Sequence, residues 1–235
     1  MGPMDTAVTL RQIADGRTDL VVPLLEAGGL AACTAVDGLP LLRWCAHHGD
    51  VSALRLLLAR GAALADLGPN LDLIGAVFHG HFALVQWCLE QGADPSWRDP
   101  VTGETPLLSA LCKANRPVYG RIVAALLARG ADVHATTVVG APLDSFMRDV
   151  RGLGETALHR AAAYADEATI AALLAAGASR EACDVAGQTP LSWASRHLRP
   201  DAILRLLCFG PHAIHPQRRG TYDHGAGWTH GETIG

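Results

Sequence analysis

The segment Gly154–Ala162 reads Gly-Glu-Thr-Ala-Leu-His-Arg-Ala-Ala, and it returns as Gly-Gln-Thr-Pro-Leu-Ser-Trp-Ala-Ser from Gly187 to Ser195. Thr156 and Thr189 are 33 residues apart, and a third copy, Gly-Glu-Thr-Pro-Leu-Leu-Ser-Ala, starts at Gly103. A period near 33 constrains the fold more than any other feature of the chain. It predicts a solenoid of helix pairs, each too small to bury its own apolar face, so that neighbours must stack to share a core.

The residues inside each copy make physical sense as helix punctuation. The threonine can accept hydrogen bonds from free N–H groups at a helix start, and proline fits the first turn. Glycines recur where a second helix should end, at Gly28, Gly61, Gly92, Gly130, Gly177 and Gly210. Glycine there supplies a left-handed cap. Leu158 and the Ala161-Ala162 pair let helices approach closely.

These motifs resemble ankyrin repeats. The resemblance covers residues 5–220 and implies an all-α repeat solenoid: about six stacked helix-turn-helix repeats joined by short hairpin tips. The units run 5–36, 37–68, 69–101, 102–151, 152–186 and 187–220, and a Gly/His-rich tail occupies 221–235. The third unit is eroded at its start, Pro69-Asn70-Leu71-Asp72-Leu73. The resemblance also implies that His159 bonds the backbone of the neighbouring hairpin, and that the whole array binds other proteins.

The fourth unit departs from the period. Its helices are separated by a longer turn around Asn115-Arg116-Pro117. Thr105 lies 51 residues before Thr156, so an insertion, 135–153, enlarges the tip between units four and five. Leu143, Phe146, Met147 and Val150 are spaced i, i+3, i+4, i+7, as on one apolar face of a short helix, with Asp144 and Arg148 spaced to pair. Phe146 and Met147 either anchor a partner or pack on the chain's own repeats.

The formal charge is −4, and 18% of the residues are charged. No basic stripe is present, which argues against nucleic acid as partner. No apolar run is long enough for a membrane span, and Met1–Thr6 lacks the layout of a leader peptide. Six cysteines occur without a C-x-x-C pair, as expected of free thiols in a reducing, cytoplasmic setting. His47, His48 and His79 come close in register, yet no acidic or thiol ligand completes a metal set. The phosphate-loop, nucleophile-elbow and zinc-protease motifs are missing. No cofactor, metal or catalytic residue is therefore expected.

Register predicts the groove lining. Three positions per inner helix share its exposed face. They are Trp44, His47 and His48 in unit two, with His79 in unit three and Lys113 in unit four. Units five and six add Arg160 with Tyr164, and Trp193 with Arg196 and His197. Trp, Tyr and Arg dominate interface energetics, and this set suits carboxylates and apolar anchors. Trp44 and Trp193 could instead wedge between repeats with their N–H on a carbonyl. Trp97 and Arg98 sit at a hairpin tip, the other surface such arrays use.

The expectation is a monomeric, non-catalytic scaffold that binds a protein or peptide, as an inhibitor, an immunity-type neutraliser or an adaptor. The competing expectation is a small tailoring or hydrolytic enzyme on the same frame, using the His-rich groove with or without a metal. A deep enclosed pocket with converging polar groups would favour the enzyme; an open groove with exposed aromatics favours the binder.

Overall fold

The computed structural model describes residues 5–28, 36–112, 117–143 and 150–208. Among these the regular structure is helical, and backbone bridges occur only singly, at Val36–Leu39, Thr136–Thr156 and Pro142–Arg151. The helices come in pairs, α1 (Thr6–Ala14) with α2 (Val21–Gly28), α3 (Leu41–His47) with α4 (Val51–Ala59), and α5 (Leu73–His79) with α6 (Phe82–Glu90). Three more pairs follow: α7 (Pro106–Ala110) with α8 (Pro117–Ala128), α9 (Ala157–Tyr164) with α10 (Glu167–Ala175), and α11 (Pro190–Arg196) with α12 (Asp201–Leu207). Ala161, Ala162 and Ala194 are wholly buried, so α9 and α11 meet through methyl groups.

Local chemistry sets the boundaries. Thr105 Oγ1 accepts from the Leu108 N–H at 3.2 Å, and Thr189 Oγ1 from the Ser192 N–H at 3.3 Å. Pro106 and Pro190 occupy the first turn, where a missing N–H costs nothing. Asp50 and Asp166 cap α4 and α10 in the same way. At the far end Gly61 and Gly177 adopt φ of 100° and 96°. The following Ala62 and Ala178 N–H groups then reach back to the Leu57 and Leu173 carbonyls at 3.0 Å, which closes each helix.

His159 does what the resemblance implies. Its Nδ1 accepts from the Thr156 N–H at 3.1 Å, and its Nε2–H donates to the Gln188 carbonyl at 3.0 Å. Burial holds its pKa below the ordinary 6.5, against the pull of the Gln188 carbonyl and Asp184. The folded state therefore keeps the neutral ring, and this contribution to stability is lost as pH falls through the ordinary histidine range. His159→Ala is expected to cost about 2 kcal/mol near neutral pH in urea denaturation, and less below that range.

The seams between units carry a second pattern. Carbonyls of the last inner-helix turn lack helical partners. His48 Nε2–H donates to Ala14 O at 2.8 Å, His81 Nε2–H to His47 O at 2.9 Å, and the Tyr119 hydroxyl to Phe78 O at 2.9 Å. Arg199 repeats this on Ala163 O at 3.2 Å and on Ala165 O. His48, expected in the groove, is thus half-buried and taken up by the frame.

The third unit begins on a strained run. Asn70, Leu71 and Asp72 all have φ near +50°, a conformation unfavourable for side chains with a Cβ. The Asn70 side chain clamps it to the next tip, with Nδ2 donating to Asp94 O at 2.9 Å and Oδ1 accepting from Asp94 N at 2.7 Å.

The ends of the 135–153 segment pair as an antiparallel hairpin. Gly140 N–H donates to Gly152 O at 2.8 Å, Gly152 N–H to Ala141 O at 2.9 Å, and Leu143 N–H to Val150 O at 3.0 Å. Leu143 is buried and Val150 is 37% exposed. The two therefore sit opposite each other across a rung rather than along one helical face. Phe146 and Met147, with Asp144 and Arg148, lie outside the described residues, as does Lys113. A Cβ at Gly152 would fall 2.2 Å from Val138 O, so the two ends of the segment lie tightly against each other.

Candidate recognition groove

Four of the expected side chains converge at the C-terminal end. Tyr164, Trp193, Arg196 and His197 line one cavity of about 280 Å³, with Arg151 and Leu153 from the base of the insertion. The Tyr164 and His197 rings meet edge to face at 5.1 Å. Trp193 is half-buried, its Nε1–H fixed on Asp184 Oδ2 at 2.9 Å and its ring against His159 at 5.5 Å. The two carboxylates beside this cavity are already engaged. Asp184 also accepts from the Ala186 and Gln188 N–H groups, and Glu155 from Thr137 and Leu153. Arg196 and His197 are exposed, and Arg196 makes no ion pair among the described residues.

Arg160 corrects the register argument. It was expected among these residues and is instead wholly buried. Its five N–H donors are all used. Nε and Nη2 reach Glu155 Oε1 at 3.0 and 2.7 Å, Nη1 and Nη2 reach Glu104 Oε2 and Oε1 at 3.1 and 2.6 Å, and Nη1 reaches Leu108 O at 2.9 Å. Burial raises the Glu104 carboxyl despite Arg160. Burial also pushes on Glu155, but Arg160 and the bonds from Thr137 and Leu153 outweigh it and hold that carboxyl low. Register located the helix face correctly and missed that the hairpin tips roof it here. The signal available was the Gly-Glu-Thr written twice, at Glu104 and Glu155, with one buried-length arginine beyond.

At the N-terminal end His47 and His79 are exposed, and their rings lie 4.6 Å apart at 75°. Trp44 stands edge-on to His47 at 6.0 Å, and its Nε1–H is tied to Val36 O at 3.2 Å. Burial, with His48 and His81 beside it, lowers the His47 pKa. Both groove tryptophans thus anchor their polar atom in their own tip and turn the ring outward only in part. Among the described residues no three His, Cys, Asp or Glu side chains are grouped to hold a metal ion. Cys88, Cys183 and Cys208 are free thiols. Burial, reinforced by Asp72, pushes Cys88 up to about 12, far from a reactive thiolate.

The tip residues divide. Arg98 donates to Thr136 O and braces the next hairpin. Trp97 is half-buried and turns into a larger cavity of about 530 Å³, which it lines with Arg43, Asp72, Ile74 and Asp99. Reading by register reached neither Arg43 nor Asp72. Asp72 lies on the left-handed run that the eroded repeat start disguised. Its carboxylate sits against Gly75, where a Cβ would come within 2.6 Å of it. Burial raises its pKa, while Arg43 and the Gly75 backbone draw it down.

A family model described as ankyrin repeats, three copies, matches residues 119–219. Over 132 residues the chain is 38% identical to SH3 and multiple ankyrin repeat domains protein 2 of Homo sapiens, covering 54% of this chain and 6% of that protein. Over 113 residues it is 31% identical to a putative palmitoyltransferase, ZDHHC13, of Danio rerio, covering 47% of this chain and 17% of that protein. The chain thus spans only a small part of either relative's length. No described helix is long and apolar enough to cross a membrane.

Proposed function

This chain is an ankyrin repeat protein, and we propose that it is a recognition scaffold whose groove binds an extended segment of a protein partner. Ankyrin repeats generally mediate protein–protein interaction and are typically non-catalytic. The observation that carries the reading is the convergence of Tyr164, Trp193, Arg196 and His197 on one open cavity. An indole and a phenol offer large contact area at low entropic cost, and a fixed groove reduces the ordering cost of binding. The uncommitted positive charge of Arg196 beside them favours a partner segment with a carboxylate next to an apolar anchor.

In this reading the six helix pairs are six repeats within residues 5–220. The paired segment 135–153 is an enlarged tip that walls the C-terminal cavity through Arg151 and Leu153. His47, His79 and Trp44 extend the contact surface at the other end. The molecule acts as a monomer in the cytoplasm, as an inhibitor, an immunity-type neutraliser or an adaptor. It needs no cofactor for this.

A randomised peptide library displayed on phage and panned on the full chain tests the reading. Selected peptides are expected to carry an acidic residue near an aromatic or aliphatic one. Arg196→Glu is expected to weaken them at least about tenfold, an effect of about 1.4 kcal/mol, with helicity unchanged. Peptides that bind Arg196→Glu as well as the parent chain overturn it.

A further inference from the structure

The cavity beside Trp97 differs from the C-terminal one in its charge. Its walls are apolar and aromatic, from Pro69, Ile74 and Val101 with the Trp97 indole. Among the described residues that line it, three carboxylates, Asp72, Asp99 and Glu104, face one guanidinium, Arg43. Glu104 is neutralised from behind by Arg160. Asp99 spends Oδ1 on its own turn, accepting from Val101 N, Thr102 N and Thr102 Oγ1 at 3.0, 2.8 and 2.9 Å. Asp72 lies deeper, and no ion pair joins it to Arg43, which attracts it only at longer range. The cavity therefore holds an excess of negative charge beside an aromatic face.

We propose that this cavity is a pocket for an arginine or lysine side chain of the protein partner, with the alkyl stem against Ile74, the cationic head between Asp72 and Asp99, and the Trp97 ring as its stacking surface. The proposal rests on the groove being a protein-binding surface and adds a second, oppositely charged pocket to it. A cation stacked on an indole gains attraction from the ring, most of all where water is excluded. It would also return to Asp72 the charge compensation that burial removed. Two pockets of opposite sign on one groove fix the direction in which a segment lies. The basic residue goes to the cavity beside Trp97, and the acidic one goes to Arg196.

Gly75 belongs to the device. It is the position beneath the Asp72 carboxylate where no Cβ fits without displacing it. Gly75→Ala therefore moves the anion while leaving the charge of the pocket unchanged.

The test uses the full chain labelled with ¹⁵N, and N-acetyl-arginine amide as probe, with the uncharged citrulline analogue as control. The Trp97 indole resonance is assigned with Trp97→Phe. It is expected to shift and saturate with the arginine probe, and citrulline is expected to bind at least about tenfold more weakly. Asp72→Asn and Gly75→Ala should each weaken the arginine probe about tenfold. Asp72→Asn keeps the side-chain shape and tolerates the left-handed backbone, so its melting temperature should not fall below that of the parent. An unmoved Trp97 resonance, or equal binding of citrulline, overturns the proposal. If either occurs while Arg196→Glu still weakens the selected peptides, only this pocket falls and the groove reading stands.

Discussion

Arg160→Ala is expected to cost the fold about 3–5 kcal/mol, because it leaves two buried carboxylates without their counter-ion. Glu104 and Glu155 are 4% and 2% exposed, so neither can turn to water for repayment. The same change removes one of two bonds to Leu108 O, which Arg160 Nη1 meets at 2.9 Å and the Leu111 N–H at 3.1 Å. A loss of that size is a large share of the 5–15 kcal/mol typical of a domain. Urea denaturation followed by circular dichroism measures it directly; a loss below about 1 kcal/mol would show that the network contributes little. Arg160→Lys should recover only part, since an ammonium cannot fork to two carboxylates and a carbonyl at once.

The two acids should respond differently. Glu155 is held below its ordinary value, so its contribution is present at neutral pH and is lost as pH falls through that lowered value. Glu104 is raised, so its ionised form costs stability at neutral pH, and acid relieves that cost. Glu155→Gln is accordingly the more damaging of the two substitutions at neutral pH. It also weakens the bonds from Thr137 and Leu153 that hold the ends of the 135–153 segment.

The second large effect concerns binding. Trp44→Ala combined with Trp193→Ala is expected to weaken a groove-bound peptide by more than about 2 kcal/mol, roughly thirtyfold. Trp193 should supply most of it. Both rings pack on the core, but the Trp193 ring also lines the C-terminal cavity, whereas Trp44 lines none of the cavities described above. Trp193→Phe separates the roles, because it keeps a ring and releases Asp184 Oδ2. Titration of each variant with one selected peptide, alongside its melting curve, reads both quantities. Full affinity in a folded double variant would mean that the indoles serve packing alone.

The repeat frame was legible because its signals are local. Thr-Pro caps, the closing glycines and the paired alanines each act within a few residues, so reading them in register located helices and turns. The tip bond of His159 followed the same register. Depth was not legible. Arg160 meets Glu104 across 56 residues of sequence, and its burial depends on how Glu104 and Glu155 close over it from two separate repeat starts. His48 looked like a groove residue because its helix face was right, yet its ring is spent on Ala14 O in the preceding unit. Asp72 was hidden for another reason: three consecutive left-handed residues broke the expected helix start. The strain is offset by Asn70, whose partner Asp94 lies in the next tip.

The side-chain bonds that pin each inner helix to the unit after it give the array a mechanical character. Pulled from its two ends, the chain should not tear all at once. Each seam adds a discrete event, the parting of a ring or guanidinium from one carbonyl, so a force trace would climb and drop in a sawtooth. The seam held by two bonds from Arg199 would be the last tooth before the outermost unit peels away.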